Sequence, residues 1–506
     1  MTLNPWVYIV FFGYIIGVLA IGYFTWTKKD SDAFMVAGRQ MPYWVVGSAY
    51  IATYMSVSSF LGIVGTIHSD GWGPNGAYIG SVVGYMGGLA IFGPKLRRLG
   101  GITIPDFLGD RFNSDIVRVI SAMIVIGGYF LYFSVQFIGI GILFHIMFNM
   151  PYSSSVVVAF AILLAYVLLG GLLATAIVDV LQLGLMWTGG VVVAIIAFHR
   201  SGGILSGLPD IVDRLNATAP DFLNPDASAT SVAWSLVLLW IIGSLSRADT
   251  ISRAYLAKNE REVYKAILFS MPFIWVTSTL FFFFGLIGSV LLPHLDGTEA
   301  EATFLIMAQD WVPAIFTGMA FTGLLASAQS TVSGQMMTAA MGVSRDIYGR
   351  VIAPRLRGRE AMDGTIVAIT RITLVCLALA SLLFALIRPG FIFDFVNLSV
   401  AIMGPAFLVT WLAGMFWRRA TKEAAILSLV VGVVISVYWF YNPIVLFGRP
   451  WLNGPVVSFV VVAAIMVVLS FVTKPTAASL ELYDRLKRTR GGVNQLSPAA
   501  KIDERS

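Results

Sequence analysis

The sequence predicts an all-α membrane protein of about 13 transmembrane helices, built on a five-plus-five inverted-repeat transporter core. Three observations carry that prediction. The 506-residue chain is 58% hydrophobic and only 12% charged, where soluble domains carry about 25% charged residues. Apolar windows long enough to cross a bilayer recur along nearly its whole length. Lys and Arg gather in alternate connections between those windows, as the positive-inside rule requires of a multi-pass protein.

The windows lie near residues 5–27, 43–67, 74–93, 116–148, 154–172, 176–198, 231–246, 265–292, 313–343, 366–387, 393–416, 423–440 and 455–472. The first starts too close to Met1 for a basic leader region and lacks a small-residue cleavage site, so it reads as a retained helix. With the N-terminus outside and the C-terminus cytoplasmic, all 33 Lys and Arg fall inside except Arg200, Arg214, Arg388 and Arg449. A miscounted span would scramble that sorting. The net charge of +6 is therefore a topology signal rather than the mark of a nucleic-acid partner. The expected location is the cell (inner or plasma) membrane.

Spans two to six and seven to eleven make two groups of five. The second span starts inside and the seventh starts outside, so the groups are inverted, a transporter architecture with its sites near the midplane at broken helices. The domains then read as an extra helix and cytoplasmic loop (1–42), a first repeat (43–199) and an extracellular loop (200–230). A second repeat (231–416), two additional helices (417–473) and a cytoplasmic tail (474–506) follow. Within the loop, Asn216-Ala-Thr218 is a glycosylation sequon in a host that glycosylates. The single cysteine, Cys376, excludes an intrachain disulfide, and the four histidines lack metal-ligand spacing. The H-E-x-x-H and G-x-S-x-G signatures of membrane enzymes are missing. The tail is short for the output domain of a sensor. No enzymatic activity is expected.

The opening helix of each group should be the broken one. The second span carries Ala52-Thr-Tyr-Met55-Ser56-Val-Ser58-Ser59 and the seventh Gly243-Ser244-Leu-Ser246, small hydroxyl residues that suit an unwound turn; small-residue helix packing is the competing reading. In the ninth span Ser327, Ser330, Thr331, Gly334 and Thr338 share one helical face. Ser330 and Thr331 supply two hydroxyl oxygens, and Ser327 with the carbonyls of Ala52 and Met55 supplies the rest. Five neutral oxygens without a carboxylate suit a monovalent hard cation, since divalent sites normally include Asp or Glu. The competing reading has each hydroxyl bonded back to the preceding turn.

Asp179 lies in the sixth span, where an ionisable group implies function. With Ser333 it forms a second ion or proton site, unless it sits near enough to the inner interface to be solvated. Tyr54, Ser58, Tyr132, Gln136 and Trp240 are the expected solute contacts. Aromatics in membrane helices also serve packing and interfacial belts, whereas Gln136 is a buried amide that needs a partner. The glycines of the third span (Gly80, Gly84, Gly87, Gly88) mark close helix packing.

Five segments, in order and in the right topology, resemble the sodium:solute symporter family over nearly the whole chain. They are Ala52-Thr-Tyr-Met-Ser56 with Phe60-Leu-Gly62 and Gly65; Leu99-Gly-Gly-Ile-Thr103-Ile-Pro105-Asp106-Phe107 with Arg111-Phe112; and Gly170-Gly171-Leu-Leu-Ala174-Thr175 up to Asp179 and Gln182. Ser252-Arg253-Ala-Tyr-Leu256-Ala-Lys258-Asn259 has Ser where the family has Gln. Ser330-Thr331-Val-Ser333-Gly-Gln335 runs on to Asp346-Ile-Tyr348. The resemblance implies a bundle rocking against a scaffold. It also implies Na+ as coupling ion, held by the carbonyls of Ala52, Met55 and Ser327 and the hydroxyls of Ser330 and Thr331.

A second sodium in some members would use Asp179, Ser330 and Ser333, but the remaining hydroxyl position is Gly334 here. The acidic residue of proline-transporting members is Tyr54. Tyr54 to Gly62 and Gly170 to Thr175 look closest to permeases for acetate-like monocarboxylates. No Arg or Lys stands in mid-membrane to neutralise a carboxylate, which leaves the main-chain N–H groups at a broken helix end. The expected function is sodium-coupled symport of a small organic solute, in the main reading a monocarboxylate such as acetate or pyruvate. The alternatives are a sodium:amino-acid (proline-like) or other solute symporter, or a proton-coupled carrier. The expected partners are the solute, Na+ and membrane lipid, with no cofactor, nucleic acid or obligate protein partner.

Overall fold

With no water in the hydrocarbon to satisfy backbone groups, a chain this apolar must fold its spans as helices. The computed structural model describes residues 3–24, 40–99, 103–223, 228–357, 361–388, 390–442, 444 and 454–488, and among these the only strand-like feature is one bridge between Met41 and Ala257. Expectations that rest on Lys28, Lys29, Arg39, Gly100 to Ile102, Arg359, Arg449 and the tail beyond Arg488 lie outside the described residues. So do those on the side chains of Gly170 to Ala174.

The helices run α1 Pro5–Phe24, α2 Tyr43–Tyr54, α3 Ser58–Asp70, α4 Asn75–Leu99, α5 Ile104–Phe112 and α6 Asp115–Phe148. The helical stretch Tyr152–Arg200 carries two apolar segments, α7 Tyr152–Leu168 and α8 Thr175–Arg200. Then come α9 Gly207–Thr218, α10 Ser228–Leu245, α11 Ala248–Ser252, α12 Glu260–Leu291, α13 Thr303–Trp311 and α14 Ala314–Met341. The last are α15 Asp363–Ile387, α16 Ile392–Phe416, α17 Lys422–Tyr441, α18 Gly454–Val472 and α19 Ala477–Arg488. Among the described residues nine helices are long and apolar enough to span, and the bent pair α2–α3 makes ten. The other three predicted spans fall on α7, which is shorter, on α10, and on α14, whose hydroxyl and amide side chains lower its hydropathy.

Local chemistry sets the helix ends. Thr103 accepts from the Asp106 N–H at 3.1 Å, Ser114 from Val117 at 3.3 Å and Asn259 from Glu262 at 3.0 Å, each filling an orphan donor of a first turn. Asn113 and Asn149 close α5 and α6 in the left-handed region, at φ 47° and 51°. Both predicted breaks are present. The second span bends by 46° between α2 and α3, and the seventh ends at Leu245 before the short α11.

α14 sits at the centre, packed against the α7–α8 stretch, α6, α1 and α2. Every residue from Ala320 to Met341 is buried, including its hydroxyls. The glycines of α4 act as predicted, because a Cβ at Gly84 would lie 2.6 Å from Ser244 Cβ and one at Gly80 would lie 2.3 Å from the Val237 carbonyl. That close approach fixes α4 against the broken α10.

Where the N-terminus of α5 meets the turn after α14, Thr103 donates to Asp346 Oδ1 at 2.7 Å, and Asp106 faces Arg345, Arg350 and Arg118 at 3.7, 3.4 and 3.8 Å. Two separated stretches, around Thr103–Asp106 and Asp346, thus meet in one charged cluster. Burial and then the neighbouring Asp106 carboxylate push the Asp346 carboxyl well above its ordinary range.

Candidate functional site

Ending α2 at Tyr54 strands its last carbonyls. Met55 still donates to Ile51 O at 2.9 Å, but its ψ of 101° turns the chain out of the helix. Ala52 O therefore loses its intrahelical donor, and the hydroxyl of Ser330 on α14 supplies one at 2.8 Å. Beyond the break, Gln136 on α6 accepts from the Val57 N–H at 3.1 Å and donates to Tyr132 O at 3.2 Å. The predicted need of this amide for a partner is met by the first orphan donor of the restarted helix.

The stripe on α14 separates into two classes. Ser327, Ser333 and Thr338 donate to Leu324 O, Ser330 O and Gly334 O at 2.8, 3.0 and 2.7 Å, which is back-bonding to their own helix. Ser330 bonds back to Ser327 O at 3.0 Å and also across to Ala52. Thr331 is buried and its hydroxyl has no hydrogen-bond partner. Ser330 Oγ thus joins the carbonyls of Ala52 and Ser327 where the two helices touch, with Met55 at the C-terminal end of α2. Three neutral oxygens brought together by Ser330, with a buried orphan hydroxyl on the next residue of α14, are chemistry a small cation can use. Among the described residues no group of three His, Cys, Asp or Glu could hold a metal ion.

Asp179 is fully buried rather than solvated at an interface, and its carboxylate lies 3.3 Å from Arg253 Nη1. Arg253 also donates from Nη2 to Thr53 Oγ1 at 2.9 Å. One turn further along the chain from Asp179, Gln182 donates to the Tyr14 hydroxyl at 2.8 Å, and Tyr14 donates to Gln329 beside Ser330. The extra helix α1 is thereby tied to α14.

Of the expected solute contacts, Tyr132 and Gln136 stand at the break, with the Tyr132 hydroxyl 3.4 Å from Ser56 Oγ. Ser58 is buried in the first, π-helical turn of α3. Tyr54 joins Ser278 on α12 and, at 3.2 Å, Ser81 on α4, with its ring edge-on to Tyr85. Trp240 takes a different partner, donating to Asn397 Oδ1 on α16 at 2.8 Å.

The expectation that no Arg or Lys stands inside the bundle to meet a carboxylate is overturned. Arg247 and Arg253 are buried in the core, each 1% exposed. The second break turns the chain at Arg247, whose guanidinium lies 4.4 Å from the Tyr132 ring and also faces Tyr85 and Tyr129. Its Nε and Nη2 donate to Asp249 at 3.1 and 2.5 Å, while Nη1 has no hydrogen-bond acceptor. Asp249 is held in turn by the Tyr129 hydroxyl at 2.8 Å and Gln335 at 3.2 Å. The sequence signal was an Arg-x-Asp placed directly after Ser244-Leu-Ser246.

The 3-10 turn Gly297–Ala302 packs on α3. Glu301 within it accepts from the Ile392 N–H at the start of α16 at 2.7 Å and pairs with Arg388 at 3.3 Å. Sequence reasoning did not single it out. Gly65 lies under it so closely that a Cβ would come within 2.8 Å of Glu301 Cα.

Comparison with known proteins gives a consistent pattern. The family model of the sodium:solute symporter family matches residues 34–432. An osmoregulated proline transporter of Bacillus subtilis is 26% identical over 94% of this chain and 96% of its own length. A sodium/proline symporter of Staphylococcus aureus is 24% identical over 94% of each. Among solved structures, a Na+-coupled sialic acid symporter in a substrate-bound outward-open state superposes with a TM-score of 0.74. It is 18% identical and covers 93% of this chain and 98% of that one, a likeness of fold.

Proposed function

The chain belongs to the sodium:solute symporter family, and from that premise we propose that it imports a small carboxylate-bearing solute of the proline-like amino-acid kind together with Na+. We place the ion on the carbonyls of Ala52, Met55 and Ser327 and the hydroxyls of Ser330 and Thr331. The observation that carries this placement is the Ser330–Ala52 bond across the break, with the buried, unpartnered Thr331 hydroxyl on the next residue of α14. When the cation binds, the Ser330 hydroxyl turns its lone pairs inward, and shared coordination replaces the single hydrogen bond joining α2 to α14. That pins the two helices and shapes the break, where Tyr132, Gln136 and Ser58 meet the solute. The orientation proposed is that of the Lys and Arg sorting, with the N-terminus outside. The membrane potential then contributes about 2.3 kcal/mol per charge per 100 mV, a concentrating power of roughly fiftyfold.

The solute class draws on those curated relatives that are named as proline transporters. The reading toward acetate or pyruvate gains no support there. Arg247 favours a carboxylate of either kind, since its Nη1 has no hydrogen-bond acceptor and its guanidinium stands over the Tyr132 ring. Tyr54, at the place of the acidic residue of proline-transporting members, keeps the monocarboxylate as second reading. Uptake of labelled proline and of labelled acetate into proteoliposomes, under a sodium gradient or a proton gradient alone, tests both. Sodium-driven proline uptake supports the proposal. Sodium-driven acetate uptake alone reverses the solute, and uptake driven by protons without sodium removes the ion site.

A further inference from the structure

We infer that the cavity between α4 and α12 is a seat for one acyl chain of a membrane phospholipid. Both walls are helices long and apolar enough to span the bilayer. Between them lies a space of about 330 Å³, lined by Tyr78, Ile79 and Val82 on α4 and by Trp275, Ser278 and Phe282 on α12. That is the size of a small-ligand pocket. Its rim is continuous with the surface that meets lipid, since Ile79, Val83 and Trp275 are 43, 52 and 65% exposed. From Asn75, at the start of α4, to Val83 the wall runs about 12 Å at the helical rise, against roughly 15 Å for half the hydrocarbon core. The cavity has the depth of one leaflet.

The lining chemistry asks for a hydrocarbon tail rather than a polar guest. Its residues include no Asp, Glu, Lys, Arg or His. Its hydroxyls are already committed, with Tyr78 donating to Ser59 O at 2.9 Å, Ser278 to Ile274 O at 2.9 Å and Thr279 to Trp275 O at 3.0 Å. Water held there would lack the roughly 2–4 polar partners it needs. A void would forfeit dispersion contacts along the rings of Trp275 and Phe282. A tail entering sideways from the bilayer restores them, while the amide of Asn75 stands at the end where a spanning helix begins and headgroups lie. The seat also reaches the break in the second span. Tyr78 holds Ser59 in the first turn of α3, and Ser278 meets the hydroxyl of Tyr54 at the end of α2. A seated chain therefore packs on the residues that grip both arms of that break.

Photolabelling of the full chain in liposomes tests the seat, with phosphatidylcholine carrying a diazirine midway along one acyl chain as the probe. Segments 75–83 and 275–283 should take up about fivefold more label than the face of α15 that carries the exposed Ile372, Leu379 and Leu383. Val82→Trp, which fills the space, should cut the label on 275–283 about fivefold and leave that on α15 unchanged. Thr279→Trp fills it from the opposite wall and should do the same to the label on 75–83. Equal labelling of all lipid-facing helices, or a folded variant labelled like the wild type, means ordinary boundary lipid and overturns the inference. The wild-type ratio decides by itself if neither variant folds. Competition by excess unlabelled phosphatidylcholine supports the proposed occupant, and competition by oleic acid alone overturns it.

Discussion

Thr331→Val offers the sharpest reading of the ion site, because it should stabilise the protein in one condition and weaken it in another. Valine keeps the branched shape and replaces only a buried hydroxyl that has no partner in the structure. Leaving such a group unsatisfied costs about 1–3 kcal/mol, so the ion-free protein should gain up to roughly that amount. A hydroxyl that ligates a charge contributes about 1.5–3 kcal/mol, so its loss should weaken Na+ binding by roughly 10- to 150-fold. At a sodium concentration 100 times its dissociation constant, the wild type gains about 2.7 kcal/mol of stability. The variant at the same concentration should gain only about 0.3–1.4 kcal/mol. Thermal unfolding in choline chloride and in sodium chloride measures both numbers in one experiment. If Thr331→Val is less stable without sodium and keeps the wild-type sodium increment, the hydroxyl is an ordinary bonded side chain and the ion site is misplaced.

Three further outcomes follow from the same geometry. Gln136→Leu leaves the Val57 N–H without its acceptor and should lower stability by about 1–3 kcal/mol while abolishing most sodium-driven uptake; unfolding and uptake both unchanged would deny Gln136 its capping role. Glu301 is held above the ordinary glutamate range, chiefly by burial and against the opposing pull of the Ile392 N–H and Arg388. With the folded value raised, its contribution is complete below the free glutamate value and is lost as pH rises through the raised one. Glu301→Gln should flatten that slope in thermal unfolding across pH, and an unaltered slope would refute it. Arg111 spans α5, α16 and α19, donating to Gly414 O at 2.7 Å, Trp417 O at 2.9 Å and Ser479, with burial pulling its value down to about 10. Arg111→Met should free α19 for limited proteolysis at unchanged sodium affinity, and wild-type protease resistance would show that the helix docks without it.

Much of this was legible in the chain because it rests on local patterns. Hydropathy windows find the helices, since lipid leaves the backbone no other solution. Ser and Gly at 52–59 and 243–246 announce the breaks, because unwound turns need small residues with oxygens to offer. The polar stripe of α14 was visible for the same reason. Which of its hydroxyls are free was not, because Ser327, Ser333 and Thr338 differ from Thr331 only in how neighbouring turns and helices approach them. Trp240 likewise gave no hint of Asn397, which is 157 residues away in the chain.

The two arginines show the boundary most clearly. By sequence alone, Arg247 and Arg253 belong to an inside connection between spans seven and eight, and nothing in that assignment hints that they are buried. Local composition thus determined the helices and the places where they break, and it marked the polar stripe of α14. Only the tertiary structure decided that the second break folds its arginines inward, Arg247 against Tyr132 and Arg253 against Asp179. Burying a guanidinium requires a carboxylate or aromatic face from a distant helix, and no spacing within the chain can reveal which one arrives.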